Sequence, residues 1–121
     1  MSIKARFFKK RFIIPSLFLV IILILNSFKH PFVIYLPFDI PGNQMAGTIP
    51  PFGIFIESTY ENENPNDPCS IITHEMVHWD QYKRMGLFSF TFNYLKVYFN
   101  SGRINNWMED EAREPCKLKS R

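Results

Sequence analysis

Residues 74–78 read His-Glu-Met-Val-His, and this spacing constrains the local fold more than any other feature of the chain. On an α-helix, side chains four positions apart lie on one face, one turn from each other. His74 and His78 can then present two imidazoles to one metal ion, whereas a shift of either by one residue turns it away by roughly 100°. The motif therefore predicts a helix and a metal site. The alternative is a helix whose histidines are ordinary surface groups.

The residue between the two histidines points to hydrolytic chemistry. Glu75 would lie beside a zinc ion, where its carboxylate can hold and deprotonate a water. Catalytic zinc sites have three protein ligands and one open position, so a third ligand is required. Glu109 is the preferred candidate, because Ala112 three residues later would let its helix approach the histidine helix closely; Glu111 is the second choice. The alternative for this segment is a solvated acidic turn.

The rest of the chain predicts an α+β domain with short strands. Prolines exclude helix from residues 30–51. Two β-rich apolar runs, 32–36 and 52–57, are expected to form a hairpin or two neighbouring strands. Residues 87–100 alternate like a strand in part but fit a helix better. Helices are predicted at residues 67–85, 87–100 and 107–114.

The ends of these helices are predicted from local signals. Asp67 is expected to cap the histidine helix, with Pro68 at its first position, and Gly86 to end it. Asn105 or Asn106 is expected to cap the last helix, and Pro115 to close it.

The amino-terminal segment is basic and then apolar. Five Lys or Arg precede residue 12, and residues 12–28 carry no charge. This run is at the short end of the roughly 17–25 residues that span a membrane. We expect an uncleaved anchor at residues 1–29, with its basic end in the cytoplasm and residues 30–121 in the periplasm or outside the cell. The alternatives are secretion after signal cleavage and a buried soluble helix.

Composition narrows the functional classes. Hydrophobic residues make up 46% of the 121, which excludes a disordered chain. The net charge of +3 arises mainly from the amino-terminal tail, so no nucleic-acid partner is expected. The only two cysteines, Cys69 and Cys116, could meet in a disulfide if the two metal helices pack together. The alternative is two independent thiols.

The motif His74-Glu75-Xaa-Xaa-His78 followed by Glu109-Xaa-Glu111-Ala112 resembles the gluzincins, zinc metallopeptidases with Glu as the third ligand. The resemblance covers residues 52–113 and implies a minimal zincin-like domain. It implies Zn²⁺ bound by the two histidines and Glu109, with Glu75 as general base. It also implies an edge strand at residues 54–57 that pairs with a peptide or protein substrate.

One departure from the gluzincin pattern concerns the residue four positions after the ligand Glu. Thermolysin-like members have an Asp there that orients a zinc histidine, but this chain has Arg113, which cannot accept a hydrogen bond. Support for His74 is then expected from Glu111 or a backbone carbonyl. The resemblance also requires a group that stabilises the oxyanion, for which Tyr82 and Tyr60 are the candidates.

Three functional hypotheses follow. The first is a small, membrane-anchored zinc metalloendopeptidase that faces outward. The second is a non-catalytic zinc-binding, membrane-anchored interaction module, and the third is a small membrane protein without a metal. Three N and O ligands favour catalysis, because structural zinc sites usually have four ligands rich in Cys. The short chain argues against it, since little polypeptide remains for the second wall of a substrate cleft.

Overall fold

The structure is a computed structural model that describes residues 3–42, 44–101 and 106–120, with side chains for residues 13–42, 44–100 and 106–120. Within these residues the chain forms four α-helices and one small sheet, which confirms the α+β class. The elements are α1 (Ile3–Ser27), β1 (Val33–Leu36), β2 (Ala46–Ile49), β3 (Gly53–Glu57), a 3₁₀ turn (Ser58–Tyr60), α2 (Ile71–Met85), α3 (Leu87–Ser101) and α4 (Trp107–Lys119).

The amino-terminal segment is helical, but the predicted transmembrane anchor is wrong. No helix among the described residues is long and apolar enough to cross a membrane. The uncharged run was already at the lower length limit, and it contains Pro15 within α1 and Asn26 near its end. Asn26 is tied to α2, where its side chain accepts a hydrogen bond from the Tyr82 hydroxyl and its backbone oxygen accepts one from Lys83 Nζ at 2.7 Å.

The sheet has the order β1-β3-β2, with β1 parallel and β2 antiparallel to β3. The two predicted strands are therefore neighbours, but they do not form the hairpin with each other. The hairpin partner of β3 is β2, a strand that the sequence did not predict. Gly53 begins β3 with a φ of +139°, and a Cβ there would lie 2.3 Å from the Phe32 carbonyl oxygen. A side chain at this position would push β1 away from the central strand.

The caps of α2 follow the sequence only in part. Ser70, not Asp67, is the N-cap, because its hydroxyl oxygen accepts a hydrogen bond from Thr73 N. Asp67 instead closes the preceding turn by accepting one from Cys69 N at 3.0 Å. Gly86 ends the helix at a φ of +86°, as predicted.

The last two helices agree with the sequence-based prediction except at the end of α4. Residues 87–101 are helical, as chosen over the strand alternative. Asn106 caps α4, as predicted, by accepting hydrogen bonds from Met108 N and Glu109 N. The predicted end at Pro115 is wrong, because α4 continues to Lys119. Tertiary contacts hold this last turn: Cys116 is bonded to Cys69, and Lys119 Nζ lies 2.9 Å from Asp67 Oδ1.

The core lies where α2 meets the other elements. Trp79 and Tyr82 of α2 pack with Phe90 of α3 and Met108 of α4, and all four side chains are buried. On the other side of α2, the central strand contributes buried isoleucines. Helix α2 is therefore in contact with the sheet and with both later helices, and its orientation is strongly determined.

The predicted disulfide between Cys69 and Cys116 is present. It joins the segment before α2 to the last turn of α4 and closes a loop with a sequence separation of 47 residues. Cross-linking a loop of this length reduces the entropy of the unfolded chain and contributes about 4 kcal/mol in the entropic account.

We expect replacement of both cysteines by serine to lower the free energy of unfolding by about 4 kcal/mol, measured by denaturant titration. Because either replacement removes the same cross-link, each single variant should lose nearly as much as the double variant. Alkylation of the native protein should add no label before reduction. Two additive losses, or labelling of both thiols without reduction, would contradict the disulfide.

Candidate metal centre

Helix α2 presents two histidines on one face. The rings of His74 and His78 lie 5.0 Å apart between centroids and are inclined by 77°. His78 is buried, whereas the side chain of His74 is 28% exposed. The spacing of four residues thus brings both imidazoles to one place, as the sequence predicted.

Helix α4 brings a carboxylate to the same place. Glu109 Oε2 lies 3.1 Å from His74 Nε2, and Glu109 Oε1 lies 3.3 Å from His78 Nε2. One ligand atom from each of the three residues lies within 4.8 Å of the other two. Ala112 is buried, and α4 packs against α2 as its small side chain suggested. The three residues could together hold a metal ion.

Glu111, the second choice for the third ligand, points elsewhere. Its Oε1 atom forms an ion pair with Arg84, and its Oε2 atom accepts a hydrogen bond from Gln81 Nε2 at 3.0 Å. It does not belong to the group formed by the two histidines and Glu109. These contacts do not give Glu111 the second role expected of it, which was to support His74. Through Gln81, Glu111 is linked to His78 instead.

Hydrogen bonds and charges within the cluster favour the ionised forms of His78 and Glu109, against the effect of burial. Burial disfavours an imidazolium at His78, but hydrogen bonds to Glu109 and Gln81 and the charges of Glu109 and Glu75 outweigh this effect and raise the pKa of His78. Burial likewise disfavours the carboxylate of Glu109, yet hydrogen bonds from both histidines hold the pKa of Glu109 well below its usual range. The third ligand is thus an anion over the ordinary pH range.

Gln81 fixes the orientation of His78. Its Nε2 atom donates to the Met108 carbonyl oxygen at 2.9 Å and to Glu111 Oε2 at 3.0 Å. Both partners are acceptors, so the amide nitrogen must face them and the amide oxygen must face the histidine. His78 Nδ1–H then donates to Gln81 Oε1 at 2.9 Å. The Nε2 atom of His78 then faces Glu109, so a metal ion that replaces the proton at Nε2 would meet a ring already held in the orientation that it requires.

Glu75 lies on the neighbouring face of α2 and is buried. The hydroxyl of Thr48, on β2, lies 2.7 Å from Glu75 Oε2 and 3.1 Å from the Glu75 backbone oxygen. A hydroxyl has one proton to donate, and the carboxylate is the stronger acceptor. Thr48 therefore holds one oxygen of the expected general base in place.

The cluster opens into a cavity of about 720 Å³, within the usual size for small-molecule and peptide sites. Its walls include Glu75, the three cluster residues, and much of the segment from 36 to 49. This segment, which contains β2, supplies the wall that so short a chain seemed to lack. The remaining lining side chains are mainly apolar.

The strand beside the cavity differs from the expected one. Residues 54–57 lie in β3, which is paired on both sides and has no free edge. Among the described strands, β2 is the edge strand that contributes all four of its residues to the cavity wall, whereas the other edge strand, β1, contributes only Leu36. The expected edge strand was therefore wrong.

The two tyrosines expected near the oxyanion do not line the cavity in the part of the chain that the structure describes. The hydroxyl of Tyr82 donates to the side chain of Asn26, and burial raises the pKa of Tyr82. The cavity instead contains Tyr94 of α3. Its hydroxyl donates to Glu109 Oε1 at 3.3 Å, and its ring lies perpendicular to that of His78 at 5.8 Å between centroids.

Three residues of the site were missed by sequence reasoning. Gln81 carried a signal, because a polar residue three positions after His78 lies on the same helix face. Thr48 and Tyr94 carried none, since their place depends on how β2 and α3 pack against α2.

Comparison of the chain with protein-family models, with curated proteins and with solved structures finds no match. The functional interpretation therefore rests on the residues and their geometry.

The ligand set can be tested by metal content. We expect one equivalent of zinc in the wild-type protein, measured by mass spectrometry under native conditions. His78→Ala and Glu109→Gln should each lose it, because the first removes a donor nitrogen and the second replaces an anionic oxygen donor by a neutral, weaker one. Glu111→Gln should keep it. Retention by Glu109→Gln together with loss by Glu111→Gln would contradict the assignment of the third ligand.

The role of Gln81 is expected to show in metal affinity. Gln81→Leu removes the acceptor that orients His78, and loss of such a partner typically weakens metal binding by roughly 10–100-fold. A competitive chelator titration measures the change. As a matched control, Gln44→Leu alters a glutamine of the cavity wall that lies outside the two metal helices, and its affinity should be within about threefold of wild type. Equal affinities for both variants would contradict the role of Gln81.

Proposed function

We propose that the chain is a zinc metallopeptidase of the gluzincin type that hydrolyses peptide bonds. The observation that carries this proposal is the position of Glu75. Its buried carboxylate borders the same cavity as His74, His78 and Glu109. A general base beside a three-ligand group, at a cavity with a free strand edge, is the arrangement that metal-assisted amide hydrolysis needs.

The donor set supports zinc as the ion. Two imidazole nitrogens and one carboxylate oxygen are ligands that zinc prefers, and three protein ligands leave one position open. When bound, the ion would polarise the scissile carbonyl and lower the pKa of water to roughly 7.

The chain's own groups supply the proton transfers. Glu75 takes the proton of the attacking water and passes it to the leaving amine. Because Thr48 engages Glu75 Oε2, the other carboxylate oxygen is left for the water. The hydroxyl of Tyr94, which lines the same cavity, is the donor that we assign to the developing oxyanion.

The free edge of β2 supports an extended peptide as the substrate. Glu57 N donates to the Met45 oxygen, so residues 45 and 57 form a hydrogen-bonded pair that continues the β2–β3 ladder. Because hydrogen-bonded pairs alternate along an antiparallel ladder, the backbone groups of Ala46 and Thr48 face away from β3. A substrate strand can pair with these groups and lie along the cavity.

The disulfide supports an oxidising compartment as the place of action. Such bonds persist in the periplasm, in the secretory pathway and outside the cell, and are rare in the cytosol. The secreted alternative for the chain agrees with this.

Glu75→Gln is expected to keep one equivalent of zinc and to lower the rate of hydrolysis of an unfolded protein such as casein by at least about 100-fold. The change removes the base while it preserves the size of the side chain and the three ligands. Release of dye-labelled casein fragments measures the rate, and inductively coupled plasma mass spectrometry measures zinc.

Glu61→Gln is the matched control, because it makes the same change at an exposed residue of a surface loop. It should hydrolyse casein at the wild-type rate. Hydrolysis by Glu75→Gln at that rate would refute the base assignment. A zinc-loaded wild-type protein that hydrolyses neither casein nor a mixed peptide library would instead favour the non-catalytic zinc-binding module.

A further inference from the structure

Arg113 has no part in the functions assigned so far, although it lies at the cluster. It is on α4, one turn after Glu109, and its guanidinium lies 3.9 Å from Glu109 Oε2 and 3.6 Å from Asp110 Oδ1. Both separations exceed hydrogen-bond length, so these are loose ion pairs. The side chain is 42% exposed and lines the cavity.

The charge of the cavity depends on Arg113. Among the described residues that line it, Arg113 is the sole Lys or Arg, and the only acidic residues are Glu75 and Glu109. A divalent ion would cancel the charges of these two carboxylates. The guanidinium would then be the remaining net positive charge of a cavity whose other walls are mainly apolar, with the exposed Asp110 as its acidic partner outside the cavity lining.

We propose that Arg113 binds a carboxylate of the substrate next to the scissile bond, so that the site prefers peptides with a negative charge at that point. The proposal rests on the proposed peptidase function. The guanidinium lies 3.9 Å from the ligand atom Glu109 Oε2, and one residue of extended chain spans about 3.3–3.6 Å. An acidic side chain on the adjoining residue, or the terminal carboxylate of a peptide that ends there, would reach it.

The geometry of guanidinium favours a carboxylate over a neutral partner. Its planar fork can donate two parallel hydrogen bonds to the two oxygens of one carboxylate. In the structure, one terminal nitrogen of Arg113 faces Glu109 and the other faces Asp110, each at ion-pair distance, so neither carboxylate occupies the whole fork. Asp110 is exposed. An exposed pair of this kind is worth little, so exchange for a substrate carboxylate costs little.

The alternative is that Arg113 only stabilises α4 through its pairs with Glu109 and Asp110. Such pairs stabilise a helix only slightly and act equally for every ligand. The two accounts therefore differ in one measurable quantity, which is the difference in affinity between a charged and a neutral ligand of the same shape.

The test uses the full-length, zinc-loaded protein and three probes, each with a hydroxamate that binds the metal followed by one residue. The residues are glutamyl amide, glutaminyl amide and glutamine with a free carboxylate, and affinities are measured by calorimetry. The glutamyl amide tests a side-chain carboxylate, and the free glutamine tests a terminal one. At least one charged probe is expected to bind about tenfold more tightly than the glutaminyl amide.

Arg113→Gln is expected to reduce that preference to less than twofold, and Arg113→Lys to retain part of it. Lys117→Gln, which removes an exposed positive charge one turn further along α4, should leave the tenfold preference intact. These results would support the proposal, and the stronger of the two charged probes identifies the source of the carboxylate.

Equal binding of all three probes by the wild-type protein would overturn the proposal, as would a preference that survives in Arg113→Gln. If the preference is found but no peptide is hydrolysed, the carboxylate site stands and the peptidase function fails. If no probe binds at all, both fail together, because the hydroxamate reports the metal position itself.

Discussion

The contact between α2 and α4 is the interaction on which the candidate site depends. Two residues of the candidate metal group come from α2 and the third from α4, so any sliding of the helices would separate them. The buried amide of Gln81 crosses this contact, because it lies on α2 and donates to the backbone and to a side chain of α4. The disulfide joins the same two elements at the other end. The cluster is thus held from both sides.

The same contact explains how a buried carboxylate is tolerated. An isolated charge at Glu109 would be costly, because its side chain is only 9% exposed. Hydrogen bonds from both histidines and from Tyr94 surround it, and they compensate part of this cost. A buried polar cluster of this kind adds little to stability by comparison with apolar packing such as that of Trp79, Tyr82 and Met108. Its presence is better explained by what it can bind.

How far the sequence predicts this structure depends on whether a feature is local. The positions of His74 and His78 follow from helical geometry alone, and the asparagine cap of α4 follows from short-range hydrogen bonding. Strand β2 could not be predicted, because Ala46 and Gly47 have low strand propensity and the strand is stabilised by pairing with β3. The continuation of α4 past Pro115 likewise depends on distant contacts.

The amino-terminal segment shows the opposite error, in which a local signal was given too much weight. Its apolar composition predicts an anchor, yet no described helix is long and apolar enough to span a membrane. The preference for Glu109 over Glu111 as the third ligand has a firmer physical basis. Glu109 and Ala112 lie on the same face of α4, the face that approaches α2. The spacing of residues along a helix determines which side chains share a face. Tyr94 could not be found in this way, since its contact with Glu109 depends on the angle between α3 and α4.

Thr48 explains how so small a fold could hydrolyse a peptide, because its backbone and its side chain each serve the site that we propose. Its backbone groups face the free edge of β2, where we propose that the substrate strand pairs, and its hydroxyl holds Glu75. On that proposal, one residue sets both the position of the peptide and the position of the base. The distance between them then depends on a single side chain and not on the packing of two domains. A cleft of this kind needs only a hairpin beside a helix, which about 90 residues can supply.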